Sequence, residues 1–344
     1  MSSPEPLEVV LALVDPEYPY TIDIEKIVKD KKLFDSVAKF AERNGLYYYF
    51  VNRLKKLNLD LPFLDEKRWK EEKRRLEEFK ESIKLLNKVS DECEINYILI
   101  KACNTIPHVS RDVDIFVRER DKVKIIEALK RYGMEYIDTS VTEMILRKEG
   151  FIDIELYSRI CYLGIDFIDE DFLFGSCITD TIFGIEYPSL NEEANLLLTI
   201  IHALLGHRRI SLLDFLHIKN IRKKANIDIC RRYAREKGWE SIFNLTLDKL
   251  DSLHEKIYKD GETVHFPYLF DRNFMMRCIS ELEEVNTRKL RMIFYVSLIQ
   301  DEIVEKSKNS YLYDLVKSYK FLETLVMSFF NFINFKKRRG DAHK

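Results

Sequence analysis

Up to about Ser90 the apolar positions recur every three or four residues, the spacing of helices with one buried stripe. "KLFDSVAKFAERNG" predicts a helix stopped at Asn44-Gly45. "LYYYFVNRLKKLNLDLP" predicts a second, ending before Pro62. A third, longer helix puts Trp69, Leu76, Phe79, Ile83, Leu86 and Val89 on one stripe. Its charge run, "EKRWKEEKRRLEE", reads as a solvated face.

The pattern changes at Ile95. "NYILIKA" and "RDVDIFV" are short strand-like runs, and "RDKVKIIEALKRYG" is a helix closed by Gly133. "MEYID", "EMILRK" and "FIDIELY" follow as strands, the last two forming a hairpin with its turn at Glu149-Gly150. From "NEEANLLLTIIHALLG" onward the spacing is helical again, ending in the aromatic helix of Phe321, Phe329, Phe330, Phe332 and Phe335. The expected fold is therefore α+β. Residues 1–92 form an N-terminal helical region, 93–190 a small mixed sheet with helices, and 191–344 a C-terminal helical domain.

Composition changes this picture little. Of 344 residues 46% are hydrophobic, enough for a sizeable core. The net charge of −2 excludes a globally basic, nucleic-acid-coating protein. Six cysteines contain no C-x-x-C pair, which argues against a zinc ribbon or a redox motif. With no signal peptide and no apolar run of membrane-spanning length, they are expected to be reduced thiols in a cytoplasmic protein.

The chemistry lies in two of the strands. Side chains alternate along a strand, so Asp112 and Asp114 of "RDVDIFV" point the same way. Neighbouring carboxylates repel unless a cation, a shared proton or water intervenes. In "FIDIELY", Asp153 and Glu155 share one face and Ile152, Ile154 and Leu156 the other. With the two strands side by side, the carboxylates converge as two-metal phosphoryl chemistry requires. The plainer alternative is the solvent face of an edge strand. The apolar flanks Val113, Ile115, Phe116 and Val117 favour a covered strand instead.

The series "ILIKA", "RDVDIFV", "IDIELY", "TIIHALLGH" and "LLDFLHI" resembles the nucleotidyltransferase fold of the DNA polymerase beta superfamily, in particular its family 5 type. The resemblance spans residues 46 to 220. It implies a metal-dependent transfer of a nucleoside monophosphate from a nucleoside triphosphate to a hydroxyl acceptor, which could be RNA, a protein or a small molecule. By the same resemblance Asp112, Asp114 and Asp153, with Glu155 beside it, would hold Mg²⁺ or alternatively Mn²⁺, and Asp153 would activate the acceptor. Lys101, Ala102, Cys103, Asn104, Ser110 and Arg111 would line the nucleotide phosphates, and ATP binding is included in that expectation.

One departure matters. The family's glycine falls at Ala102, where backbone N–H groups must approach phosphate closely. This leaves open a non-catalytic nucleotide- or nucleic-acid-binding protein on the same fold. His202, Arg208 and Arg209 would stand on the acceptor or base side, with Asp214 a candidate partner of His202. His202 and His207 are five apart, which does not suit a zinc-binding pair on one helix face. Lys219, Arg222, Lys223, Lys224, Arg231, Arg232 and Arg235 would either steer a polyanion or form an ordinary solvated face. The C-terminal aromatic helix would be part of the core, mediate self-association, or lie on a partner or an anionic membrane.

Overall fold

The computed structural model describes residues 4–102, 105–106, 108–139, 143–162, 165–207, 209–262, 264–266, 268–270, 274 and 278. The C-terminal aromatic helix expected from the sequence lies outside them. Among the described residues no helix is long and apolar enough to cross a membrane.

The chain opens with five helices: α1 (Pro6–Val14), α2 (Ile24–Lys29), α3 (Lys31–Arg43), α4 (Tyr47–Lys56) and α5 (Glu66–Cys93). The N-cap aspartates Asp23, Asp30 and Asp65 start α2, α3 and α5, each carboxylate accepting from a backbone N–H three residues on. Asn44 and a left-handed Gly45 end α3 as expected. Asn44 is also buried, and its Oδ1 accepts from the Leu212 N–H at 2.9 Å. Helix α4 stops at Lys56, well short of Pro62, because Asn58 turns left-handed. The expected α5 stripe is buried, and its charged face is laced by pairs such as Arg75–Glu72 at 2.7 Å and Lys84–Glu81 at 2.7 Å.

The sheet follows: β1 (Tyr97–Leu99), β2 (Asp112–Val117), α6 (Lys122–Arg131), β3 (Glu135–Thr139), β4 (Glu143–Arg147) and β5 (Asp153–Tyr157). Spatial order is β1-β2-β5-β4-β3, with β2 and β5 parallel and the other pairs antiparallel. Strand β2 is therefore interior, not an edge. The β4–β5 hairpin turns at Gly150, whose φ is +80°. The fold is α+β, a small mixed sheet between helices.

Two hairpins not expected from the sequence come next: β6 (Ile160–Tyr162) with β7 (Ile165–Ile168), then, after α7 (Glu170–Gly175), β8 (Cys177–Ile182) with β9 (Ile185–Leu190). The β8–β9 turn puts Phe183 and Gly184 both at positive φ, a rare state for an aromatic residue. Helix α8 (Glu192–Ile201) runs into a π-helical turn at His202–His207. The strand pair β10 (Arg209–Ile210) and β11 (Tyr268–Leu269) brackets α9 (Leu212–Arg222), α10 (Ile227–Glu236) and α11 (Glu240–Tyr258).

Two apolar cores cover the two sheet faces. Val113, Ile115 and Val117 of β2, with Ile154 and Leu156 of β5, join α6 and the second half of α5. Phe116 and Tyr157 point the other way, into a larger core shared by α1, α3 and α4 with α8, α9 and α11.

Candidate active site

Strand parity assembles the site. Asp112, Asp114 and Phe116 share one face of β2, and Asp153, Glu155 and Tyr157 share one face of β5. The parallel register sets Asp112 opposite Asp153 and Asp114 opposite Glu155. Each strand thus carries two acids and then an aromatic ring seated in the larger core. The apolar flanks of "RDVDIFV" are explained by its opposite face and by its last turn of pleat.

The acids are not bare. Lys101, just beyond β1, donates from Nζ to Asp114 Oδ1 at 2.7 Å and to the Tyr157 hydroxyl at 2.9 Å. That hydroxyl donates to Glu155 Oε2 at 2.8 Å. Ser110 Oγ donates to Asp112 Oδ1 at 3.1 Å. From β4, next to β5, Arg147 grips Asp153 with Nε on Oδ1 at 2.8 Å and Nη2 on Oδ2 at 2.5 Å. Burial pushes the Asp114 carboxyl up to about 6; Lys101 opposes the rise and Glu155 adds to it. Asp112 is also raised, by burial first and then by Asp114.

All four acids present carboxylate oxygens, the donors that Mg²⁺ and Mn²⁺ take. Among the described residues, however, no three His, Cys, Asp or Glu side chains are gathered into a metal-holding group. Two of the acids carry resident cations: Lys101 on Asp114 and Arg147 on Asp153. The residues fit a divalent ion in chemistry and in the face they share, and such an ion would have to replace these cations.

The remaining expected residues are placed as follows. Lys101 has φ +57°, so the left-handed residue of this turn lies one before Ala102, which packs against the smaller core. Cys103, Asn104 and Arg208 lie outside the described residues. Arg111 is exposed next to Asp112. His202 is half-buried at the start of the π-helical turn, and Arg209 is exposed on β10. Asp214 is not positioned as a partner of His202: its Oδ2 accepts from Ser211 N at 3.0 Å and Oγ at 2.6 Å, capping α9.

Much of the basic cluster is internally paired. Lys219 is buried between Asp15 (2.5 Å) and Glu17 (3.0 Å), and Arg222 clasps Asp251 at 2.6 and 3.1 Å. Arg235 clasps Glu240, and Arg231 reaches Asp228 at 3.3 Å.

Three contributors escaped the sequence reading. Tyr157 has the same parity as Asp153 and Glu155, a signal present in "FIDIELY". Arg147 could be found only through the β4–β5 register. His217 of α9 is buried and meets Thr105 Oγ1 through Nδ1 at 2.8 Å, which ties the segment after Lys101 to the helical layer. Burial, with His108 nearby, holds His217 down at about 3, so its ring is neutral.

No protein-family model matches the chain, and no curated protein does. Among solved structures, the lincosamide antibiotic adenylyltransferase LnuA, lincomycin-bound, is 16% identical over 41% of this chain and 94% of its own, with a TM-score of 0.30. The antibiotic-resistance factor ANT(2'')-Ia is 10% identical over 51% of this chain and 98% of its own, with a TM-score of 0.35.

Proposed function

We propose that this chain is a nucleotidyltransferase, moving a nucleoside monophosphate from a nucleoside triphosphate to a hydroxyl acceptor with the help of a divalent metal ion. The observation that carries this reading is the β2–β5 register, which sets Asp112 beside Asp153 and Asp114 beside Glu155 on one face of two interior strands. By its motifs the chain resembles the family 5 type of nucleotidyltransferase.

Asp112, Asp114 and Asp153 would hold the ion, with Glu155 alongside. When bound, the ion supplies positive charge to the phosphate oxygens. Lys101, Ser110, Arg111 and the N–H groups near Ala102 would hold the triphosphate, with Cys103 and Asn104 in the same loop. The acceptor oxygen forms a bond to the α-phosphorus, the bond to pyrophosphate breaks, and the hydroxyl proton passes to the Asp153 side. Rate would come from positioning and charge neutralisation. His202 and Arg209, with Arg208, would flank the acceptor. The pairing of the basic cluster favours a small molecule or a protein hydroxyl over RNA.

A binding-only protein on this fold is the second reading, favoured by the ion pairs that already neutralise Asp114 and Asp153. One experiment separates the two. The pure protein is incubated with each α-labelled triphosphate and Mg²⁺, together with RNA, protein and small hydroxyl acceptors. Label transfer with pyrophosphate release supports the enzyme, and triphosphate binding without transfer supports the second reading. Neither binding nor transfer with any triphosphate overturns both.

A further inference from the structure

The acid face already contains a cation, and its placement has a cost. Lys101 adopts φ +57°, a backbone state that a β-carbon disfavours, and such strain persists where surrounding contacts enforce it. Its side chain is 19% exposed and lies against an Asp114 side chain that is 9% exposed. The ammonium also sits over the Tyr157 ring, 4.2 Å from the centroid. One nitrogen therefore serves both acid strands: Asp114 of β2 directly, and Glu155 of β5 through the Tyr157 hydroxyl.

At Asp114 and Glu155 one ammonium is shared between the two acid strands. Four carboxylates share the face, and among the described residues Lys101 pairs with Asp114 and the more exposed Arg147 with Asp153. A doubly charged ion with oxygen preference would satisfy the same atoms better.

We propose that Lys101 and a divalent cation are alternative occupants of the seat formed by Asp114 and Glu155, so that metal entry expels the lysine ammonium and frees it to meet an anion. The identity of that anion, a triphosphate, rests on the function proposed above; the exchange needs only the metal. Metal alone then binds weakly, because it must leave an ammonium without its partner. Metal and triphosphate bind cooperatively, because the phosphates receive what the metal displaces.

Two measurements test the exchange. Calorimetric titration of Mg²⁺ and of Mn²⁺ into wild type and Lys101→Met should show metal binding at least about tenfold tighter in the variant, since the competing charge is gone. Reductive methylation of wild type with peptide mass mapping reads the same event without a mutation. Lys101 should react slowly in metal-free protein and faster as metal saturates, against the unchanged lysines of α5. Equal metal affinity in the two proteins overturns the exchange, as does methylation of Lys101 that is unchanged or slowed by saturating metal. If label transfer is still seen, the exchange falls and the proposed function stands. If neither protein binds metal, the exchange and the metal dependence fall together.

Discussion

Arg147 holds Asp153 from the neighbouring strand with two parallel hydrogen bonds, at 2.8 and 2.5 Å. The pair follows from the antiparallel register, which brings Arg147 beside Asp153 on the acid face. Arg147 is largely exposed, its side chain at 61%, so solvent screens the pair and it adds little to stability. Arg147→Met should leave the melting temperature nearly unchanged. It should lower the Mg²⁺ concentration that half-saturates transfer, because Asp153 no longer has a resident cation. An unchanged Mg²⁺ dependence would remove Asp153 from the metal-holding set.

Asp114→Asn should abolish transfer while metal-free stability holds level or rises. The ionised carboxylate is disfavoured by burial and by Glu155, and the amide keeps the shape without the charge. Breaking a buried ion pair whose role is structural typically costs about 3–5 kcal/mol. A loss of that size in chemical denaturation would make the Lys101–Asp114 pair a structural element of the fold.

His217 predicts a pH dependence. Its folded value of about 3 lies below the ordinary value of 6.5, so below pH 6.5 the unfolded chain takes up a proton that the folded chain refuses. Stability is fully present above about pH 6.5 and is lost as pH falls toward 3, by up to about 1.4 kcal/mol per pH unit from this group. His108 nearby deepens the effect. His217→Gln should flatten that slope between pH 6 and 4 in urea titrations. An identical slope in wild type and variant would assign the acid sensitivity to other groups.

RNA binding should be weak and nearly independent of sequence in the basic segment. Lys219, Arg222, Arg231 and Arg235 are paired with carboxylates, so few counterions remain for RNA to release. Filter binding at low and high salt should give little retention for wild type and for the Arg208→Glu, Arg209→Glu, Arg222→Glu triple variant alike. Tight wild-type binding that collapses with salt, and further with the triple variant, would restore RNA as an acceptor.

The parts of the molecule governed by short-range rules were legible in the sequence. The α5 stripe, the Asn44-Gly45 stop and the Gly150 hairpin all follow from spacing and from glycine at positive φ. So did the shared parity of the four acids, which needs only the alternation of a strand. Helix α4 does end before Pro62, but the residue that turns the chain is Asn58, which the proline signal does not single out. The β6–β9 hairpins were missed because their strands are short and the β8–β9 turn relies on Phe183 in a state few aromatics adopt. The cations that occupy the acids depend on which strands neighbour which. No window of sequence around Asp153 or Asp114 shows that Arg147 or Lys101 will arrive there.

The Asn44 side chain closes α3 through its contact with Phe40 and also receives the first N–H of α9, 168 residues further along the chain. Helices α1, α3 and α4 bury their apolar faces against α8, α9 and α11 in the same core. During synthesis, then, the first five dozen residues leave the ribosome long before their packing partners exist. These helices pack on one another, but the faces they turn toward the far helices stay uncovered until those emerge, and exposed apolar surface of this kind is what chaperones hold and aggregates recruit. The larger core of this protein can be completed only once α8, α9 and α11 have been made.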